Sequence, residues 1–392
     1  MPIQRAKPRF VDSRGTVTAD QLNIGQIGGR RNMVINGGMQ VAQRGTSLAM
    51  AHDGNTANFL IDRYQLLFGG SPSSLDGTYA QVADHPLSAN GKSLKWTTGT
   101  TESAIAADEQ LFIVHKVEAQ NLQHLNFGSS NALTTTLSFY VKCSIAGTFS
   151  ISLRKDDTTK RISNRTYTIN SADTWEKKTF TFTGDTDSGA EIVNDNGEGI
   201  RIMWHLMAGS NYVGGGNFTS WKDYAADDFA AGLATNAIAT TGSATWQLAD
   251  VQWEVGSEAT PFEQRSFGEE LQLCQRYYYE RMGAGTALAV SSGEYQWAMN
   301  GIAYNTTLGL GGLSFPTPMR ITPTLGYSAV SHFIKQTAGR GDVVTAINLY
   351  DGVENATTAT AYIQFNSSTS TAGGAIMTTQ NASARLNFDA EL

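Results

Sequence analysis

Residues Thr245–Gly283 read TWQLADVQWEV, then GSEATPFEQRS, then FGEELQLCQRYYYERMG, and the apolar period changes along this stretch. Trp246 and Leu248 share one parity, whereas Val251, Trp253 and Val255 share the other. A single strand over Thr245–Val255 keeps all five on one face only if an extra residue is accommodated near Ala249-Asp250, which predicts a β-bulge there. Further on, Phe267, Leu271, Cys274 and Tyr278 are spaced 4, 3 and 4, the stripe of one helix face. Ser266 and Glu269 form a capping-box pair, and Gly283 supplies a stop. A helix of about 16 residues is marginal in isolation, so the stripe needs a partner, either the preceding β unit or copies of itself.

On the N-terminal side of this junction the pattern is β. In Thr134–Lys142, Leu137, Phe139 and Val141 alternate with polar residues, and after Ala146-Gly147 the alternation resumes with Phe149, Ile151 and Leu153. The two runs are expected to form a hairpin. Phe180 and Phe182 share a face, as do Ile200, Ile202 and Trp204. Short strands separated by Gly, Ser, Asn and Asp predict a jelly roll or β-sandwich over residues 32–264. On the C-terminal side, strands are expected at Val343–Tyr350, Ala359–Phe365 and Ala384–Asp389, giving a smaller C-terminal β-sandwich domain over 284–392. The linking helix is placed at 265–283. Residues 1–31 are polar and poor in large apolar side chains, the composition of an arm that does not fold alone.

Charged residues make up 16% of the chain and the formal net charge is −7. Acidity with no cluster of Lys and Arg argues against a nucleic-acid partner. No apolar run reaches the roughly 18 residues of a membrane span, and the first residues are neither a signal peptide nor an anchor, so synthesis in the cytoplasm without membrane insertion is expected. Cys143 and Cys274 lie in no metal-ligand spacing. Two buried thiols are expected, with one long-range disulfide as the other possibility.

Few constellations suggest chemistry. The six histidines follow no zinc spacing, and neither a nucleophile elbow nor a P-loop occurs. Asp185, Asp187 and Glu191 alternate with small residues around Gly189, a donor pattern for structural Ca²⁺; a solvated loop between strands is the plainer reading. Glu269 and Glu270 would serve glycoside hydrolysis only across a cleft, and capping already explains them. Tyr212, Trp221 and Tyr224, with Asn217, lie in or beside the Gly214–Gly216 loop. Exposed rings stack on sugar faces while amides bond hydroxyls, which makes these four the candidate glycan contacts.

Three segments resemble a known family. Asn32–Gly45, NMVINGGMQVAQRG, with Asp62-Arg63-Tyr64 soon after, is similar to the opening of many phage tail-fibre and virion structural proteins. Leu248–Gly256, then Ala259–Glu263 and Cys274–Tyr279, resembles the junction those proteins carry, and Asn387–Leu392 resembles their C-terminal ending. The resemblance implies a tail-attached arm at 1–31, a jelly roll like a carbohydrate-binding module, and a distal β tip, commonly in a trimer. It implies no catalytic residues. Unlike many members, this chain has a short arm without a repetitive shaft. The expected function is therefore a non-enzymatic tail-fibre subunit of the virion that binds a host cell-surface glycan. A collar, baseplate or head-decoration protein without ligand, and a tailspike-type depolymerase, are the alternatives. A homotrimer is expected to meet along Phe267, Leu271, Cys274 and Tyr278, since burying each large side chain contributes roughly 1.5–3 kcal/mol.

Overall fold

Alternation of apolar and polar residues makes the β-strand the main regular element of the chain. The structure, a computed structural model, describes residues 30–52, 58–70, 74–216, 218–282, 296–337, 340–349, 358–367, 373–379 and 383–392; the expected arm, except for Arg30 and Arg31, and Gly283 lie outside these. The chain divides into two units, Met1–Phe267 and Gly268–Leu392.

In the first unit the strands are β1 (Ser47–Ala51), β2 (Asn58–Phe59), β3 (Tyr64–Gly69), β4 (Asp76–Val82), β5 (Ser93–Thr98), β6 (Gln110–Glu118) and β7 (Thr135–Cys143). They continue as β8 (Gly147–Lys155), β9 (Arg161–Ile169), β10 (Glu176–Phe182), β11 (Glu198–Ala208), β12 (Lys222–Asp223) and β13 (Thr245–Val255). A six-stranded sheet runs β1-β4-β5-β13-β7-β10 and a seven-stranded sheet runs β12-β9-β8-β11-β6-β3-β2. Rings from the two sheets meet edge to face, with Phe68 and Trp96 at 5.9 Å and Phe139 and Trp204 also at 5.9 Å. The two sheets thus form the expected sandwich, and Trp96, Trp204, Trp246 and Trp253 are fully buried in it.

The expected hairpin between β7 and β8 does not form. β7 pairs with β10 and β13, whereas β8 pairs with β9 and β11 in the opposite sheet. Each strand satisfies its alternation by facing the core from its own side, so the turn at Ala146-Gly147 carries the chain from one layer to the other.

The bulge does form. β13 pairs with β7 up to Ala249↔Tyr140 and resumes at Gln252↔Ser138, with Asp250 in the left-handed region at φ +48°. The displaced Asp250 carboxylate meets His85, Nε2 to Oδ1 at 3.0 Å. Beside it, Asp84 accepts hydrogen bonds from Lys142 and, at 3.2 Å, from Trp175 Nε1. Burial opposes ionisation of Asp84, but bonds from Lys142, Trp175 and Gln247 outweigh it and hold its carboxyl below the usual value. Together these contacts fasten the segment after β4 to the six-stranded sheet.

Beyond the bulge, Asn32–Gly37 docks along β13. Val251 N donates to Gly37 O and Met33 N to Trp253 O, at 2.9 and 2.8 Å. The Asn32 side chain bonds Val251 O and Trp253 N, and a Cβ on Gly37 would lie 2.2 Å from Val251 O. Asn36 Nδ2 donates to Val41 O and Asp62 O. Glu263 Oε2 accepts from the backbone N–H groups of Arg31 and Asn32 at 2.8 and 2.6 Å, while Arg265 donates to the Asn32 and Val34 carbonyls. Two of the segments that resemble tail-fibre proteins are therefore bound to each other.

A helix, Phe267–Gln275, starts at the last residue of the first unit and opens the second, which continues with strands β14 (Tyr278–Met282), β15 (Gln296–Ala303), β16 (Leu308–Ser314), β17 (Thr324–Tyr327) and β18 (Phe333–Thr337). β19 (Arg340–Leu349), β20 (Thr360–Ser367), β21 (Gly373–Thr379) and β22 (Arg385–Asp389) complete it. β15-β16-β20-β19-β18-β21 close into a barrel, and β14-β22-β17 make a separate sheet. The unit is β as expected, but its strands close on themselves where two stacked sheets were expected. Gly309 and Gly311 permit a narrow interior: a Cβ on Gly309 would meet the Phe365 ring at 2.3 Å, and one on Gly311 the Met299 side chain at 2.7 Å.

The helix is shorter than expected, 9 residues. Tyr277 closes a turn onto Cys274 O, and β14 then pairs with β22 through Tyr278↔Asp389 and Tyr279↔Phe388. A run of tyrosines favours the strand, and the partner β22 supplies the ladder. The 4-3-4 stripe is consequently broken. Cys274 and Tyr278 are buried within their own unit, Leu271 is half-buried, and Phe267 is 60% exposed. Four residues expected on one exposed seam do not share one. Cys143 and Cys274 are both buried thiols, as the thiol reading expected, and burial pushes the Cys143 thiol up to about 11.

Candidate functional site

The aromatics expected to bind sugar are committed to packing. Residues 209–216 and 224–236 lie over the outer face of the seven-stranded sheet, where Ser150, Ser152, Asn164 and His205 are all buried. These groups bond one another and the loop: Asn164 Nδ2 to Ser150 Oγ at 2.8 Å, Ser152 Oγ with His205 Nε2 at 2.9 Å, and Ser150 Oγ to Ala231 O at 3.0 Å. Phe229 seats the loop against Phe112 and His205. Tyr212 then packs on Phe229 at 5.6 Å. Trp221 is 8% exposed, donates Nε1 to Thr183 O and meets Phe127 edge to face. Tyr224 lies half-buried under the Arg154 guanidinium, 4.5 Å away. Each ring makes a separate contact, so the three build no common platform, and Asn217 lies outside the described residues.

The acidic cluster is likewise occupied by the chain itself. Arg161 grips Asp185 with two bonds, Nε to Oδ2 at 2.7 Å and Nη2 to Oδ1 at 2.9 Å, and also reaches Asp223 at 2.7 Å and Asp187 at 3.6 Å. These bonds, that to Asp185 first, raise the Arg161 pKa. Glu191 is exposed. A forked guanidinium satisfies the oxygens that Ca²⁺ would need. Among the described residues no group of three or more His, Cys, Asp or Glu is arranged to hold a metal, which corrects the calcium expectation for Asp185, Asp187 and Glu191.

The open face with binding chemistry lies on the barrel. β16 pairs with β15 through Leu310↔Ile302 and with β20 through Leu310↔Gln364, Gly312↔Tyr362 and Leu308↔Asn366. Alternate residues point inward, so Ile302, Leu310, Gly312, Tyr362, Gln364 and Asn366 share the outside. Ile302 is 57% exposed, Tyr362 53% and Tyr304, one residue past β15, 62%. Gly312 leaves room beneath the Tyr362 ring, where a Cβ would sit 3.6 Å from it. Gln364 Nε2 donates to Asn366 Oδ1 at 3.1 Å, fixing the pair of amides. None of these outward positions carries a charge. Exposed rings on a neutral, amide-bearing surface can stack on the C–H faces of a sugar and bond its hydroxyls. Sequence reasoning read β20 as a strand but missed this face, because the glycines of β16 show no alternation. The outward parity of Tyr362, Gln364 and Asn366 was the available signal.

No protein-family model matches the sequence, and no curated protein matches it. Solved structures similar to it include the enzymatically active domain of tailspike protein 4 of bacteriophage CBA120, at TM-score 0.29 and 10% identity over 57% of this chain and 21% of that one. A family 4 carbohydrate-binding module is similar at TM-score 0.26 and 13% identity, covering 57% of this chain and 99% of the module. A sugar-binding protein assigned in Bacteroides thetaiotaomicron is similar at TM-score 0.29 and 10% identity, over 57% and 100% of the two chains. The chain thus spans about a fifth of the tailspike domain's length.

Proposed function

We propose that this chain is a receptor-binding subunit of a phage tail fibre that attaches the particle to a neutral host-surface glycan, without cleaving it. The observation that carries the glycan reading is the uncharged outer face of β15, β16 and β20, with Tyr362 exposed above Gly312, Tyr304 exposed just past β15, and the paired amides of Gln364 and Asn366 on the same face. Support for a tail fibre comes from the segments Asn32–Gly45 and Leu248–Glu263, which resemble those proteins in sequence. In this reading residues 1–31 hold the particle and the subunit assembles with copies of itself as a homotrimer. The exposed Phe267 is the part of the expected seam still open to a neighbour.

Glycan-array binding by the full chain tests the reading. Wild type is expected to retain neutral oligosaccharides and Tyr362→Ala to lose them by tenfold or more at unchanged melting temperature. Absence of binding across the array favours a collar or decoration role, and release of reducing ends from bound polysaccharide would establish a depolymerase instead. Solution mass distinguishes a trimer from a monomer.

A further inference from the structure

The outer face of β15, β16 and β20 has a direction as well as a chemistry. Tyr304 N donates to Leu308 O at 2.9 Å, which carries the β15–β16 ladder one row past Ala303↔Gly309. The outward residues then form rows: Gly312 beside Tyr362, Ile302 and Leu310 beside Gln364, and Tyr304 and Leu308 beside Asn366. Tyr362 and Tyr304 stand at opposite corners of this grid, and Leu310 lies midway between them. Neighbouring strands lie ~4.8 Å apart and residues rise ~3.3 Å along each, which separates the two positions by about 16 Å. This diagonal makes about 35° with the strands, close to the ~35–45° by which barrel strands tilt from the barrel axis. Its sense follows from chirality. Seen from outside with β15 rising, an outward-facing L-residue donates to its right, so β16 and then β20 lie on that side. The right-handed twist makes barrel strands climb to the right of the axis. The line from Tyr362 up to Tyr304 therefore runs close to the axis, the direction in which the surface of a barrel does not curve.

Two rings on a straight line, with Leu310 between them and the Gln364–Asn366 amides along one flank, describe a track and not a pocket. A pyranose unit advances an extended chain by about one strand spacing, ~5 Å, so sugars stacked on the two rings are about three units apart. On the reading of this face as a glycan site, on which the inference rests, we propose that it takes an internal run of about four units of an extended, unbranched, neutral polysaccharide. One sugar covers Tyr362 and another covers Tyr304. The units between them lie over Leu310, with their hydroxyl edge toward the amides. Each amide has more donors and acceptors than the 3.1 Å bond between the two uses. Among the described residues the outward positions of these three strands carry no charge, so the track has no fixed charge with which to select an ionic repeat.

Calorimetric titration of the full-length protein with cello-oligosaccharides and N-acetylchito-oligosaccharides of two to six units tests the track, with the coiled malto-oligosaccharides for comparison. In at least one extended series, wild type is expected to gain tenfold or more in affinity from dimer to tetramer and less than twofold beyond it. It is expected to bind the coiled series at least tenfold more weakly. Tyr304→Ala is expected to flatten the series, so that the tetramer binds no more tightly than the dimer, at unchanged melting temperature. A dimer bound by wild type as tightly as the tetramer, equal affinity for the coiled series, or an undiminished series in Tyr304→Ala would each overturn the track and leave the glycan reading standing. So would absence of binding in both extended series by a protein that binds on the array. Failure to bind in either experiment would overturn the track and the glycan reading together. A fall in solution mass of Tyr304→Ala would assign the face to a second copy of the protein instead.

Discussion

His85 Nε2 lies 3.0 Å from Asp250 Oδ1, and the contact exists because the bulge in β13 turns Asp250 out of the pleat. Both side chains are nearly buried, at 7% and 3% exposure. Asp tolerates the left-handed backbone better than a branched residue does. Asp250→Val is therefore expected to lose the pair and add backbone strain, lowering stability by about 1–3 kcal/mol. Asp250→Asn, which keeps the turn and a hydrogen-bonding oxygen, is expected to cost less than half of that. Urea unfolding of the first unit checks the ordering; equal losses would show that the backbone is unstrained.

Glu263 is the second position where one side chain holds distant segments. Its carboxylate serves two backbone N–H groups, of Arg31 and Asn32. Glu263→Ala leaves both donors without that acceptor, at about 1.5–3 kcal/mol for bonds to a charged group. Protease sensitivity at residues 30–35 is expected to rise before the sandwich melts, read by limited proteolysis with mass mapping.

Gly309 packs beneath Phe365. A Gly309→Ala Cβ would lie 2.3 Å from that ring, so the barrel must expand or Phe365 must leave its rotamer, at about 1–3 kcal/mol. Calorimetry is expected to show a lowered transition for the second unit while that of the first unit stays in place. A shift of both together would mean the units melt as one.

Acid should weaken the sandwich through two buried histidines. Burial, with Arg63 nearby, holds His115 at about 3, and burial, with Arg154 nearby, holds His205 at about 3. Both folded values lie below the ordinary 6.5, so the fold prefers the neutral rings. Their contribution is complete above pH 6.5 and is lost as the pH falls from there through about 3. The slope reaches about 1.4 kcal/mol per pH unit for each ring. Denaturant midpoints between pH 7 and 4 are expected to fall less steeply in His205→Asn than in wild type.

What the sequence disclosed divides along short and long range. The parity change across Trp246, Leu248, Val251 and Trp253 is local, and it located the bulge. The alternation in Leu137–Val141 and Phe149–Leu153 correctly placed both strands, but alternation names a face and not a partner, so the hairpin was misassigned. The helix end was illegible because Tyr278 and Tyr279 are claimed by Asp389 and Phe388 at the other end of the chain. Asp185 looked like a cation donor because Arg161, 24 positions away, is invisible to a local pattern. Tyr212 and Trp221 looked exposed because nothing near them in sequence announces the buried Ser150–Asn164–His205 network that their loop must cover.

The docking of Asn32–Gly37 on β13 also has a mechanical meaning. The chain enters the sandwich at Arg31 and leaves it at Arg265, and there Glu263 and Arg265 tie the entering backbone to the departing one. A pull applied between these two points loads that tie first and passes across a few residues. The sandwich hangs beside the line of tension, and its strands stay unstretched until the tie parts.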